Sequence, residues 1–592
     1  MKISPHWIRD FVNLKVDERK LAEDLTMAGL AVEGITGEGA STVFEMEITT
    51  NRPDAMNHYG IARECSAIYD IDLKPFGGDV ASCVSTNVSK LSKSKGLETS
   101  ATSETSETSI TIEDAQGCAR YTGQVLRNVT IGPSPEHVVR RLQSVDQRSI
   151  NNAADATNYV LWEIGHPTHV FDLDLLEGRK IIVRRARPGE ALKTLDGVDR
   201  KLSPDDLVIA DAVKPVALAG VMGGEDSKVT EKTRNILIEA AWFDPVTIRR
   251  TAKRHGLHTD ASHRFERGAD WGATTVACAR VAQLILESAG GELVGDLIDA
   301  VGRKLERNPV QLRRSEVARI LGKDIPEQEI ERILRRLGFG ITPNRVAQPP
   351  SHPITPTNWR AGDPGSAVRT GTPHMSGGAH AAMAEELSSF TVQIPSWRLD
   401  IEREIDLIEE IARIHGYNQF PNTLPEFSGA VVELPDAPKD ARLRQSLLAL
   451  GYDEAMSLTF VSKEDAQAFS SAPAVQIANP LSEEAAFMRT SLIPGMLNML
   501  GWNLNRGNND VRLFEAGNIY EMTGQRTDER KRISIGATGN AQTASWEQKA
   551  RPYTFFDMKG DIEALLSAFE HRALYYDALS AQFFHPGRSA RA

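Results

Sequence analysis

Cysteine is scarce in this chain: four thiols, Cys65, Cys83, Cys118 and Cys278, are spread over 592 residues. None stands in a C-x-x-C pair, so neither a zinc site of the usual spacing nor a dithiol redox motif is indicated. So few thiols in so long a chain suit a reducing cytoplasm. A basic surplus is missing as well. The net charge is −12, which argues against a surface coated for non-specific nucleic-acid binding, though a local basic groove is still allowed. There is no run of about twenty apolar residues, so no membrane span is expected. The opening stretch, MKISPHWIRDFVNL, carries charges throughout and has no apolar core, unlike a signal peptide.

Apolar residues make up 41% and charged residues 25%, the balance of an ordinary globular protein. The length exceeds what one hydrophobic core usually serves, so several domains are expected. Residues 1–82 read as an α+β unit. Helical spacing over Glu18 to Leu30 ends at Ala28-Gly29, and Val43 to Ile48 alternates as a strand before Asn51-Arg52-Pro53-Asp54 breaks it. Residues 83–118 are Ser/Thr-rich and too poor in apolar positions to offset the entropy of ordering, so a flexible linker is expected. Residues 119–305 mix short β-type runs with an amphipathic helix near Ala273 to Ala289, which predicts a mixed α/β domain. Residues 306–422 hold two short helices, SEVARILG and QEIERILRRLG, around Lys323-Asp324-Ile325-Pro326, in helix-turn-helix spacing. A Pro/Gly/Ser/Thr-rich insertion near 346–380 reads as disordered. From 423 to 592 a new unit alternates helices and strands, including VRLFEAGNIY.

Four stretches carry candidate chemistry. The segment IEREIDLIEEIARIHGY is expected to be a helix with Ile401, Ile405, Ile408 and Ala412 on one apolar stripe. Asp406, Glu409 and Glu410, at i, i+3 and i+4, gather on another face, and Asp400 lies just ahead of them. Two readings are open: a Mg²⁺ site of hard oxygen donors, or an acidic first turn that complements the helix dipole. The stretch from Arg254 to Gly268 holds His255, His258 and His263. Their spacing matches no common zinc motif, so a polar loop is the reading. Gly220 to Ser227 (GVMGGEDS) lets a ligand approach the backbone closely but lacks the Lys-Ser/Thr ending of a phosphate loop. Arg489, Arg512 and Glu515 could hold ATP or be internal ion pairs of a sheet.

The order of these pieces is more telling than any one of them. N-R-P-D at Asn51, N-Y-V-L at Asn158, H-x-F-D at His169, G-V-M-G-G-E at Gly220, the stretch His255 to Gly268, P-S-W-R-x-D at Pro395 and R-L-F-E-x-G at Arg512 follow one another. That succession resembles the β subunit of bacterial phenylalanyl-tRNA synthetase. The resemblance implies an α₂β₂ heterotetramer in which the α subunit binds ATP and attaches phenylalanine to tRNA-Phe. It implies a multidomain α+β fold. A mixed α/β editing domain would be followed by a helix-turn-helix-like domain and then by a catalytically inactive, incomplete class II synthetase-like domain built on an antiparallel sheet. It also lifts the magnesium reading, because Asp400, Asp406, Glu409 and Glu410 match the family's ligands. Arg489, Arg512 and Glu515 would be structural.

The resemblance further implies hydrolysis of Tyr-tRNA-Phe in a pocket formed by His169, Gly223, Glu239, Thr259 and Ala261. A synthetic site built for phenylalanine cannot strongly reject an analogue that only adds a hydroxyl. A second site with one buried acceptor can do the reverse, because phenylalanine leaves that acceptor unpaired. Glu239 is the expected acceptor; His169 and Thr259 would position the ester or the attacking water. Two departures from the family pattern stand out. Only Thr36 to Thr42 occupies the place of the inserted oligonucleotide-binding barrel, and the C-terminal anticodon-binding domain is expected to be missing. A stand-alone editing hydrolase and a helix-turn-helix DNA binder are the other function classes, the latter disfavoured by the acidic charge.

Overall fold

The structure is a computed structural model that describes residues 1–76, 102–104, 108–347, 385–422 and 432–569, together with residues 424, 429, 575–578, 584–585 and 589–591. The insertion expected near 346–380 lies outside the described residues beyond 347. The chain divides into two compact units, Met1–Thr423 and Leu424–Ala592. No helix among the described residues is long and apolar enough to cross a membrane.

In the first unit, helix ends follow from local side chains. Asp17 accepts from the Lys20 N–H to start Glu18–Met27, and Asn57 accepts from the Gly60 N–H to start His58–Tyr69. Asn151 accepts from the N–H groups of Ala153 and Ala154 and starts Asn152–Ile164, which Gly165 ends at φ 79°. Such caps satisfy backbone groups that a helix end otherwise leaves orphaned.

Two sheets frame the middle of this unit. The strands Glu292–Val301, Cys118–Arg127, Ile236–Phe243 and Thr168–Asp172 form one antiparallel sheet in that order. The second has six strands, from Met222–Gly223 through Pro215–Leu218, Leu207–Ala210, Lys180–Arg185 and Ser109–Ile112 to Thr102–Glu104. One of its pairs, Ser109–Ile112 with Lys180–Arg185, is parallel. Every residue of Ile236–Phe243 is buried, so it serves two cores by alternation. Leu237, Ala241 and Phe243 face the core between the sheets with Val183, Leu207 and Val216. Ile236, Ile238 and Ala240 face the helices Asn152–Ile164 and Thr274–Ala289, against Val160 and Ile285. The period of two therefore places Glu239 on the inter-sheet face.

The sequence reading of 83–118 as a linker is corrected at its end. Thr102–Glu104 and Ser109–Ile112 are sheet strands, and Ile110 and Ile112 are buried. Those two isoleucines gave too weak an apolar signal beside the Ser/Thr run. The two short helices further on are Arg314–Leu321 and Glu327–Arg336, set against a three-stranded sheet of Val310–Arg313, Glu385–Gln393 and Gly340–Ala347. A second correction concerns the acidic helix. It begins at Glu404, because Asp406 accepts from the N–H groups of Glu402 and Arg403. Ile401 thus precedes the helix, and Ile405 is 41% exposed. The buried stripe is Leu407, Ile408, Ile411 and Ile414, with Ala412 beside it.

The second unit is built on a long antiparallel hairpin, Arg512–Thr523 with Arg526–Ala537, flanked by the short parallel strand Asp453–Glu454. Helices Ala437–Ala449 and Phe555–Ser567 bury Leu447 and Leu565 against Tyr452 and Phe514.

Candidate functional site

The five residues expected to form a pocket line a single cavity of about 270 Å³ between the two sheets. His169 and Glu239 sit opposite one another on neighbouring antiparallel strands, so their side chains share a face. Gly223 ends the short strand across the cavity. Thr259 and Ala261 come from the start of the helix Asp260–Phe265. Asn158 and Thr168 also line the cavity. Asn158 belongs to a motif noticed in the sequence, but nothing in its spacing tied it to a strand 80 residues away.

Electrostatics set the protonation states. Burial pushes the Glu239 carboxyl up to about 8, opposed only by the Tyr121 hydroxyl. Burial pushes the His169 imidazole down to about 4. At neutral pH the two are therefore an uncharged acid beside an uncharged base, not an ion pair. Glu239 Oε2, His169 Nε2 and the neighbouring Tyr121 hydroxyl are all buried without a hydrogen bond of good geometry among the described residues, although that hydroxyl is near enough to Glu239 to favour its ionised form. Buried polar atoms left unpaired are costly, and the cavity leaves them for a ligand that carries a hydroxyl.

Thr259 is tied into the wall of the cavity. Its hydroxyl donates to the Val221 carbonyl at 2.8 Å and accepts from the Ser262 N–H at 3.0 Å. The proton is committed, so Thr259 fixes the glycine-rich wall to the helix start, and its oxygen keeps a second lone pair that can accept from a water.

Gly223 is required by space. A Cβ there would lie 2.6 Å from His169 Cε1 and 2.8 Å from Nε2. Gly223→Ala is expected to displace the imidazole and to lower stability by about 1–3 kcal/mol, the usual range for overpacking. Denaturant unfolding of the variant checks this; unchanged stability with His169 in place would contradict it.

The Glu239 shift also predicts a pH dependence of stability. The folded chain keeps a proton that the unfolded chain releases above the usual 4.5. The resulting stabilisation is fully present below that value and is lost as pH rises through about 8. Across that window the loss is on the order of 5 kcal/mol. Glu239→Gln removes this contribution while leaving that of the buried histidines, whose lowered pKa values act in the opposite sense at acid pH. The change in stability from pH 7 to pH 9 should therefore be less unfavourable in the variant than in the unsubstituted protein; identical changes would contradict the shift.

The second candidate cluster does not assemble. Asp400 is bidentate on Arg398, at 2.9 and 2.7 Å. Glu410 receives Arg398 Nη1 at 2.5 Å and Arg413 Nε at 2.8 Å. Asp406 is spent on the helix start, and Glu409 is exposed. Among the described residues no group of three or more His, Cys, Asp or Glu stands close enough to hold a metal. As arranged, these four carboxylates do not fit a magnesium ion.

Asp400 and Glu410 instead belong to a buried network. Arg52 bridges Asp54 and Glu64, and Arg413 bridges Glu64 and Glu410. The network ties helix His58–Tyr69 to helix Glu404–His415. Burial opposes ionisation, yet Arg52 holds Asp54 down to about 2, and Arg413 and Arg398 keep Glu410 well below the usual carboxylate range.

The remaining candidates are engaged with other residues of the chain. His255 Nε2 meets Asp206 Oδ2 at 2.8 Å, and His258 packs edge-on against His263. Arg489 Nη1 meets Glu515 Oε1 at 2.6 Å, and Arg512 donates to the carbonyls of Leu450 and Ala541. Neither arginine is left facing a nucleotide.

Comparison with known proteins follows the same division of the chain. Residues 117–290 match the family model described as B3/4 domain, which spans the cavity. Residues 378–417 match the tRNA synthetase B5 domain, and residues 420–592 match the phenylalanyl tRNA synthetase beta chain CLM domain. The chain is 37% identical over 561 residues to the phenylalanine–tRNA ligase beta subunit of Geobacter metallireducens, covering 93% of this chain and 62% of that one. It is 33% identical over 592 residues to the same subunit of Carboxydothermus hydrogenoformans, covering 97% and 66%. Among solved structures it is similar, at 12% identity and a TM-score of 0.35, to an N-terminal fragment of the phenylalanyl-tRNA synthetase beta subunit from Pyrococcus horikoshii, covering 70% of this chain and 99% of the fragment. The chain thus spans a little over three fifths of the length of the bacterial relatives it matches.

Proposed function

Since this chain belongs to the bacterial phenylalanine–tRNA ligase β-subunit family, we propose that it serves as the non-catalytic subunit of such a ligase and hydrolyses Tyr-tRNA-Phe in the 270 Å³ cavity. A separate α subunit binds ATP and joins phenylalanine to tRNA-Phe, the two chains assembling as α₂β₂ in the cytoplasm. The engagement of Arg489 with Glu515 and of Arg512 with backbone carbonyls supports placing the synthetic chemistry on the partner.

One observation carries the editing reading: a buried, uncharged carboxyl, Glu239, whose Oε2 is unpaired inside the cavity. A tyrosine phenol donates to it; a phenylalanine ring enters but leaves it desolvated and unpaired. His169 lies beside Glu239 on the next strand, which supports assigning its neutral imidazole to the phenol end rather than, as the family resemblance implies, to the ester or the water. The hydrolytic step is attack of water on the ester carbon. The bond to the ribose oxygen breaks, that oxygen takes the proton, and tyrosine leaves. No buried Ser-His-Asp arrangement lines the cavity among the described residues, so the chain orients a water rather than forming a covalent intermediate.

Charging of tRNA-Phe with phenylalanine should appear only when this chain and the α subunit are co-expressed. A chain that fails to associate with α while still deacylating Tyr-tRNA-Phe would instead be a stand-alone editor.

A further inference from the structure

A larger cavity, of about 650 Å³, lies elsewhere in the first unit. It draws its walls from segments far apart in sequence: helix His58–Tyr69, the turn ending at Phe76, the helix end at Ile164, the loop Gly268 to Ala273 and the Ser396-Trp397 pair. Its size falls within the usual range of small-ligand sites, about 300–1,000 Å³. None of the five editing-pocket residues lines it.

Arg63 is its most unusual member. The side chain is 11% exposed, and among the described residues its one ion-pair partner within 4 Å is Asp54, at 3.9 Å; Glu64 and Asp270 act on it from further off. That carboxylate is already held bidentate by Arg52 at 2.9 and 3.0 Å. Arg63 Nη1 is buried with no hydrogen-bond partner among the described residues, and so is Trp397 Nε1. The Arg63 guanidinium lies 4.4 Å above the Trp397 ring and 5.7 Å from that of Tyr59. Tyr59 in turn meets Phe76 edge-on at 5.1 Å. A buried cation without a hydrogen-bonded counter-ion, set among aromatic rings, is costly unless something arrives to pair it.

We propose that this cavity binds a small aromatic carboxylate, its charge on Arg63 and its ring among Tyr59, Phe76 and Trp397. A carboxylate matches the planar guanidinium fork. The lining carries four arginines, Arg63, Arg264, Arg335 and Arg336, against three aspartates, Asp54, Asp72 and Asp270, a surplus of one positive charge that a single carboxylate neutralises and a doubly charged phosphate exceeds. A neutral ring leaves Arg63 unpaired.

The test is calorimetric titration of the full chain with 2-naphthoate, 2-naphthyl phosphate and 2-naphthamide. Naphthoate should bind at least tenfold more tightly than the other two. Arg63→Met should weaken it at least tenfold, with Arg63→Lys partly restoring it. Val276→Trp, a substitution at a 36% exposed rim position, should weaken binding similarly without touching the charge. Should Arg63→Met fail to fold, Val276→Trp and the three-ligand comparison decide. Absence of naphthoate binding, equal affinity for the amide, or full affinity in Val276→Trp would overturn the proposal.

Discussion

Glu239→Ala is expected to lower deacylation of Tyr-tRNA-Phe by roughly 5- to 150-fold while leaving the slow turnover of Phe-tRNA-Phe unchanged. The range follows from the about 1–3 kcal/mol lost when a buried partner is left unpaired. The argument rests on placement. Glu239 is on the inter-sheet face of a fully buried strand, in the cavity, with Oε2 unpaired. Its carboxyl, pushed up to about 8 by burial, is protonated at neutral pH. Glu239→Gln therefore replaces one uncharged acceptor with another of the same shape and should keep most of the activity. Deacylation is measured with the α partner present and the two esters run in parallel. Equal rates for the unsubstituted chain and Glu239→Ala would remove Glu239 from recognition.

Glu64→Gln is expected to destabilise the first unit by about 3–5 kcal/mol, the usual result of breaking a buried ion pair from one side. Glu64 accepts from Arg52 Nη2 at 2.5 Å and from Arg413 Nη1 at 2.5 Å and Nη2 at 3.2 Å, and it is 1% exposed. Removing its charge leaves two buried guanidinium groups short of a counter-ion. Glu409→Gln, at an exposed position on the same acidic helix, serves as the control and should stay within about 0.5 kcal/mol. Denaturant unfolding of both variants separates a structural charge network from a merely acidic surface. Equal stabilities would contradict the network's importance.

The contrast between these two sites shows what a single sequence reveals. His169, Gly223, Thr259 and Ala261 sit in ordered motifs, whereas Glu239 lies in none of them and is implied only by the family resemblance; strand alternation then brings Glu239 and His169 to one face. Asp400, Asp406, Glu409 and Glu410 were counted as oxygens on a helix. The count ignored Arg398, two residues from Asp400, and Arg413, three residues beyond Glu410, which claim two of the four carboxylates. Spacing along a helix gives neighbours on that helix, not the cations that a second element buries against it. Glu64 and Arg52, more than 330 residues away in sequence, could not be connected to them without tertiary structure. The same holds for the 650 Å³ cavity, where Arg63 and Trp397 meet across an equally long separation. The Ser/Thr-rich stretch hid two strands for the opposite reason: a sheet needed only Ile110 and Ile112 to anchor its edge.

The most direct test of the account is a structure of the chain bound to a non-hydrolysable tyrosyl-adenosine analogue. The account predicts the tyrosine ring inside the 270 Å³ cavity, its phenol oxygen within hydrogen-bond distance of Glu239 Oε2, and the ester-equivalent carbon toward the cavity mouth. A tyrosine ring bound outside that cavity, or one whose phenol points away from Glu239, would contradict it.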